Sequence, residues 1–282
     1  MTNCVQFLCL RIKGEKWVSY PLGIRFPRVF ARLYPFRGRG CISRLLWLLN
    51  WLHLDRVFLE QCEEEIKGWE DVAFFWPAAT RSEGRYYGYR IKDGKMTSYL
   101  KFAILSDEMR RIKHEAENVH KVTAMSFKTF STPKVLSEGY FADETGYFVE
   151  YTALPEDAKE VPHREEWLAK VQDAGREIAQ RGLQHGDFAW HNFKRVGNAL
   201  WVLDWEELSR ELPRLVDEIT CLTAFRFYVQ KRPKSTVLKE FELLYLNGKN
   251  DAEVEQAVDS MCKRDISMGR ILKQFLMERK QP

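Results

Sequence analysis

Paired cysteines are missing from this chain: its six (Cys4, Cys9, Cys41, Cys62, Cys221 and Cys262) are scattered, with no CxxC and no framework spacing. A disulfide scaffold is therefore excluded, and a reducing, cytoplasmic setting is expected. Nothing at the start resembles a secretory leader. The apolar run Leu45-Leu46-Trp47-Leu48-Leu49-Asn50-Trp51-Leu52 falls well short of the roughly 20 residues that cross a bilayer. There are no internal repeats and no low-complexity segments. No nucleic-acid module pattern accompanies the basic residues, so nucleic acid is not an expected partner.

What is present is enough apolar material for a globular fold. The chain has 282 residues, 45% of them hydrophobic and 13% aromatic, which suits one large domain or two tightly associated lobes. Its net charge of +4 is unevenly spread. Residues 1–50 hold nine Lys/Arg against Glu15 alone, or +8, which leaves −4 for the other 232 residues. Trp17, Tyr20, Phe26, Phe30, Tyr34 and Phe36 interleave with these charges. A basic, aromatic segment 1–55 beside an apolar helix suits the surface of an anionic membrane or an anionic substrate, or else a helix packed on the main domain with a solvated basic face.

From Asp71 to Ile104 the chain reads as three antiparallel strands, 72–76, 85–91 and 96–104, joined by the turn signals Ser82-Glu83-Gly84 and Lys92-Asp93-Gly94-Lys95. Ser106 as cap, acids at 107 and 108, and apolar Met109, Ile112 and Ala116 predict a helix over 107–121. Two further strands follow, around 133–140 and 146–151, making a five-stranded sheet with one helix inserted. Beyond Leu154 the period becomes helical: Trp167, Val171, Ala174 and Ile178 recur within 164–181. A loop at 183–192 and a hairpin over 193–204 come next, and from Val216 onward the chain is mostly helical, including 236–246, 252–263 and 265–279. The expected class is α+β, divided into an extension at 1–55, a strand-rich lobe at 56–154 and a helical lobe at 155–282.

Chemistry concentrates in the loop and at the far end of the hairpin. Asp187, Asn192 and Asp204 are spaced so that the hairpin brings the ends of the segment together. Phosphoryl transfer from a Mg²⁺-bound nucleotide needs hard oxygen ligands for the metal and a carboxylate to orient or deprotonate the attacking hydroxyl. Asp187 suits the base, and Asn192 and Asp204 suit the metal.

His185-Gly186-Asp187-Phe188-Ala189-Trp190-His191-Asn192, followed by Val202-Leu203-Asp204-Trp205-Glu206, resembles the signature HGDxxxxN and its D-[WF]-E-like partner in the aminoglycoside phosphotransferase and choline kinase-like family. The resemblance implies the bilobal protein-kinase-like fold, with ATP and Mg²⁺ as cofactors. It implies Asp187 as catalytic base, Asn192 and Asp204 as metal ligands, and His185 as a brace for the loop. It also implies a strand lysine at the nucleotide phosphates, Lys101, and a helix glutamate that holds it. Glu115 is the preferred glutamate over Glu108 and Glu117. Ser82, in the turn where a nucleotide-covering loop would lie, could cradle phosphate or belong to a plain hairpin, since GxGxxG is absent. Glu150 to Leu154, with Glu150 and Thr152 foremost, would be the hinge that bonds the adenine.

Pro213 follows Asp204 within nine residues, which leaves no room for the 20 to 30 residues that form a peptide-docking activation loop in protein kinases. HRD and DFG are absent too. The expected acceptor is a small hydroxylated molecule or a glycan or glycolipid precursor, placing the enzyme in the cytoplasm or at the inner face of a membrane. Two other classes compete: a metallohydrolase using His185, Asp187 and His191, and a non-catalytic kinase-like protein that binds membranes or partners through its basic N-terminus.

Overall fold

The structure is a computed structural model, and it describes residues 5–12, 15–26, 40–64, 71–75, 84–141, 146–246, 248, 251–264 and 266–280. The chain divides into two units: residues 1–120 with 133–157, and residues 121–132 with 158–282. Ser82 and the turn at 142–145 lie outside the described residues.

In the first unit the strands β1 (Val5–Ile12), β2 (Glu15–Pro21), β3 (Glu60–Glu64), β4 (Val72–Phe75), β5 (Arg85–Lys92), β6 (Lys95–Ala103), β8 (Val135–Tyr140) and β9 (Tyr147–Thr152) form one sheet. Its order is β3-β1-β2-β4-β5-β6-β9-β8, and every neighbouring pair is antiparallel. The helices α1 (Gly40–Trp51), α2 (Asp55–Phe58) and α3 (Ser106–Ala124) complete the unit, α3 crossing into the second at its last turn. The sheet thus has eight strands where the sequence led us to expect five. The three additional ones, β1, β2 and β3, lie in the segment before Asp71, where no strand was expected. β1 and β2 pair antiparallel, from Phe7 opposite Pro21 to Ile12 opposite Glu15. The acidic β3 has little strand propensity of its own and is recruited by backbone pairing to β1, a charged edge of the kind that deters further pairing.

Period-two alternation gives this sheet two packed faces. Val72, Phe74, Leu100 and Phe102 cluster on one. Leu8, Val18, Tyr20, Ala73 and Ile91 share the other with Phe26, Leu46 and Leu59. Leu46 is therefore the inward anchor of α1, and the N-terminal segment supplies core to the unit. On α3, Ile112, Ala116 and Val119 form a buried stripe that also carries the buried Glu115.

The second unit holds α4 (Glu165–Gln180), α5 (Val216–Ala224), α6 (Lys234–Tyr245), α7 (Asp251–Lys263) and α8 (Ser267–Arg279). A four-stranded sheet accompanies them: β10 (Lys159–Glu160), β11 (Phe193–Val196), β12 (Ala199–Val202) and β7 (Phe130–Ser131), with β7 parallel to β12. The period read over 164–181 is that of α4, whose Trp167, Val171, Ala174 and Ile178 are buried. Strand-rich first unit and mostly helical second unit make the α+β order expected of the kinase-like class.

Two leucines one residue apart test the inward anchoring of α1. Leu46→Ala should lower unfolding free energy by about 2–4 kcal/mol, as buried leucine truncations do, whereas Leu45→Ala should change it by less than about 0.5 kcal/mol. Urea denaturation of both variants checks the contrast.

Candidate functional site

In the first unit, Lys101 sits on β6 and directs its ammonium to both carboxylate oxygens of Glu115 on α3, at 2.8 and 2.7 Å. Both side chains are buried. Of the three glutamates weighed for this lysine, Glu108 instead bonds Arg85 at 2.6 Å, and Glu117 is exposed beside His114. A buried ion pair adds little net stability, but removing one partner would strand a charge at a cost of about 3–5 kcal/mol, so each member fixes the other. Lys101 shares its sheet face with a run of stacked tyrosines: Tyr99 lies 5.4 Å from Tyr89, 6.2 Å from Tyr87 and 6.1 Å from Tyr151 between ring centroids.

Glu150 lies within β9, paired on one side with Leu100 and on the other with Ser137. Its carboxylate accepts hydrogen bonds from Arg90 (2.9 Å), Ser137 (3.1 Å) and Ser98. Burial pushes the Glu150 carboxyl up, but Arg90 and the two hydroxyls outweigh it and hold it below the usual range. Thr152 donates its N–H to the carbonyl of Lys134 (2.8 Å), and its hydroxyl accepts from the Lys134 N–H (2.9 Å).

The loop in the second unit starts where α4 ends. Gln184 and Ser209 exchange both backbone hydrogen bonds, at 2.8 and 2.9 Å. The next peptide is gripped from two sides. The carboxylate of Asp217, on the first turn of α5, accepts the N–H groups of His185 and Gly186, the latter at 2.9 Å. The Gly186 carbonyl accepts from the Arg264 guanidinium, which also bonds Glu207 at 3.1 Å. Gly186 has φ +87°, and a Cβ there would stand 2.4 Å from the Glu207 carbonyl oxygen, so only glycine fits.

Beyond this grip, the Asn192 amide donates to the Asp187 carbonyl (2.9 Å) and to its carboxylate (3.1 Å). Since a carboxylate only accepts, the bond identifies the amide nitrogen and leaves the Asn192 oxygen as the acceptor presented elsewhere. His191 Nε2 lies 3.7 Å from the same carboxylate. Burial pushes the Asp187 carboxyl up. The nearby His191, the neighbouring His185 and the Asn192 amide together outweigh that and place it below the ordinary range.

The hairpin of β11 and β12, with Phe193 opposite Val202, closes the segment. One step beyond it, the Leu203 N–H donates to the Asn192 carbonyl at 2.9 Å, and the Leu203 carbonyl accepts from His185 Nε2 at 2.9 Å. The hydrogen of that imidazole is therefore on Nε2. With both its backbone groups held, Leu203 delivers Asp204 in the left-handed region at φ 63°. Trp205 then plugs into the unit: it is fully buried, donates to Thr132 at 2.7 Å and stacks on Phe130. Asp187, Asn192 and Asp204 are thus joined through three hydrogen bonds and a hairpin. His185 does not join His191 as a metal ligand, because it is buried and committed to Leu203 while His191 is exposed.

Two residues of this arrangement escaped the sequence. Asp217 is one of two acids at a helix start, and nothing distinguishes it from Glu218 in the chain. Arg264 follows a surface helix 78 residues from its partner Gly186.

No family model matches the chain, and no curated protein does. Among solved structures the chain is similar to WbdD in co-crystal with the kinase inhibitor LY294002, at 14% identity over 64% of this chain and 41% of that one, with a TM-score of 0.38. It is also similar to a thermostable mutant of aminoglycoside phosphotransferase APH(4)-Ia in ternary complex with AMP-PNP and hygromycin B, at 12% identity over 68% and 86% of the two chains, with a TM-score of 0.41. The chain spans only 41% to 44% of the length of the first WbdD chains it matches. What the site does must therefore be argued from its own side chains.

Asp217→Ala should leave the His185 and Gly186 N–H groups buried without an acceptor, at about 1–3 kcal/mol each. A loss of about 2–4 kcal/mol in denaturant unfolding, with faster hydrogen exchange at these two amides, is the expected result.

Proposed function

We propose that this protein is a phosphotransferase that moves the γ-phosphate of ATP, bound with Mg²⁺, to a hydroxyl of a small molecule or of a glycan or glycolipid precursor. The observation that carries it is the Asp187–Asn192–Asp204 arrangement: a half-exposed carboxylate oriented by an amide, and a second carboxylate returned by the hairpin. In this proposal Asp187 aligns the acceptor hydroxyl and takes its proton. Its depressed pKa keeps it ionised, and the Asn192 hydrogen bond keeps it pointed. The donor set suits a hard cation, because the Asn192 amide oxygen and the Asp204 carboxylate are both oxygen ligands. Mg²⁺ held there would neutralise phosphate charge as transfer proceeds. In the first unit, Lys101, steadied by Glu115, would offer its ammonium to nucleotide phosphates. Glu150 and Thr152 have their polar groups engaged within the sheet, so adenine contacts would fall to the backbone just after Thr152.

The length of chain after Asp204 supports a small acceptor. Ser209, five residues on, is already paired back to Gln184, and α5 begins at Val216. No extended segment is left there on which a peptide could lie.

Transfer of labelled γ-phosphate to candidate acceptors tests the proposal. Asp187→Asn should reduce kcat by at least about a thousandfold while ATP still stabilises the protein thermally. Unchanged turnover would sink the mechanism. The pH profile gives a second readout. A base whose pKa is lowered puts the acid limb of kcat/KM below the ordinary carboxylate range. Because His191 helps to lower it, His191→Ala should raise the Asp187 pKa and move that limb to higher pH.

A further inference from the structure

The hydrophobic effect leaves one part of the first unit unexplained. Leu45, Leu48, Trp51, Leu52, Val57 and Phe58, all on α1, α2 and their connection, are between 42% and 74% exposed. They do not belong to a loose end. The opposite side of α1 is fixed by Leu46 and Asn50, both buried. The Asn50 side chain bonds the Phe26 N–H (2.9 Å), the Ile24 carbonyl (2.9 Å) and the Asp55 carboxylate (2.8 Å). Asp55, the first residue of α2, also accepts from the buried Tyr20 hydroxyl at 3.1 Å. Both helices are therefore held with apolar side chains facing water, including Trp51 stacked on Trp47. A helix apolar on both faces needs a second surface to cover it.

Charge identifies that surface. Residues 1–58 carry ten Lys/Arg against Glu15 and Asp55, and Asp55 is buried and paired. Arg44 and Arg56 are exposed at the start of the apolar stretch and within it. The acidic strand β3 begins where the apolar residues end, at the buried Leu59. A second copy of the chain would set this positive segment against itself in a two-fold interface, at an electrostatic cost. An anionic lipid surface meets both the charge and the apolar side chains. At 12 residues α1 is about 18 Å long, too short for the roughly 30 Å hydrocarbon core. No helix among the described residues is long and apolar enough to cross a membrane. The fitting geometry is a helix lying in the interface, with tryptophan at the headgroup level and arginine on the phosphates.

We infer that α1 and α2 form a docking face that seats this protein on an anionic lipid bilayer. Flotation with phosphatidylcholine vesicles, with and without phosphatidylglycerol, tests this on the full chain. Binding is expected to the phosphatidylglycerol vesicles, weakening as salt is raised, with little to phosphatidylcholine alone. Leu48→Ser/Trp51→Ser/Phe58→Ser should abolish flotation with only a small drop in the unfolding midpoint, because these side chains are 42% to 66% exposed in the free protein. Arg44→Glu/Arg56→Glu, which leaves the apolar residues in place, should weaken binding at least about tenfold. Failure of the parent to float, or flotation of the triple-serine variant equal to the parent's, would overturn the proposal. A parent dimer that the triple-serine variant converts to monomer, with no vesicle binding by either, would assign the face to a second copy instead. Asp187→Asn should float like the parent, so membrane docking and phosphotransfer stand or fall separately.

Discussion

The loop that carries Asp187 depends on one buried carboxylate. Asp217 is shut away from water, and burial pushes its pKa up, since the charged form loses solvation that the protein must replace. The replacement comes from the N–H groups of His185 and Gly186 and from the field of Arg264. A carboxyl with its folded pKa above the unfolded one holds its proton longer in the folded state. Its contribution to stability is thus fullest below the unfolded pKa and declines as pH rises through the folded one. At neutral pH the desolvation of this charge offsets part of what its two N–H bonds contribute, and what the residue supplies is position. It fixes the peptide on which Gly186 turns, and the next side chain is that of Asp187.

The first unit solves a similar problem by different means. A lysine on a strand and a glutamate on a helix must each be held still, and here each charge is the other's solvent substitute. Neither can relax outward without abandoning a buried partner, so the pair locks α3 to the sheet through α3's own apolar stripe, Ile112, Ala116 and Val119. In the second unit the comparable rigidity comes from backbone groups: the hairpin register, both hydrogen bonds of Leu203 and the Gln184–Ser209 bridge. Ion pairing orders long side chains, whereas peptide hydrogen bonds order short ones such as Asp187 and Asn192.

The parts of this fold that could be read from sequence share a local cause. The helical period of α4, the turn at Gly197-Asn198 and the alternation of β5 and β6 are set by neighbours in the chain, and they stand where local reasoning puts them. The pairing of Lys101 with Glu115 was legible through the family resemblance, and the structure brings the two together. What was not legible depends on distant partners. β3 is a strand only because β1 offers it an edge. Asp217 differs from Glu218 only by what lies opposite it, and Arg264 acquires its role from a glycine far back in the chain. In the basic N-terminal segment the buried Leu8, Val18 and Tyr20 were not singled out as core, because charge is the louder signal in composition.

Asp204 shows how these constraints combine. A left-handed backbone at a residue other than glycine costs free energy, about 1 kcal/mol for an aspartate, and it persists only where the surroundings over-determine it. Here the surroundings do so on both sides. Leu203 before it is held at its N–H by Asn192 and at its carbonyl by His185, and Trp205 after it is buried and bonded to Thr132. Relaxing φ at Asp204 would have to rotate one of these anchors out of place. The strain is thereby converted into direction: the backbone on either side of Asp204 fixes where its carboxylate starts. His185 is the residue that links the two halves, since its backbone N–H answers to Asp217 while its imidazole answers to Leu203. One buried histidine thus ties the peptide before Asp187 to the peptide before Asp204, although the two acids lie seventeen positions apart in the chain.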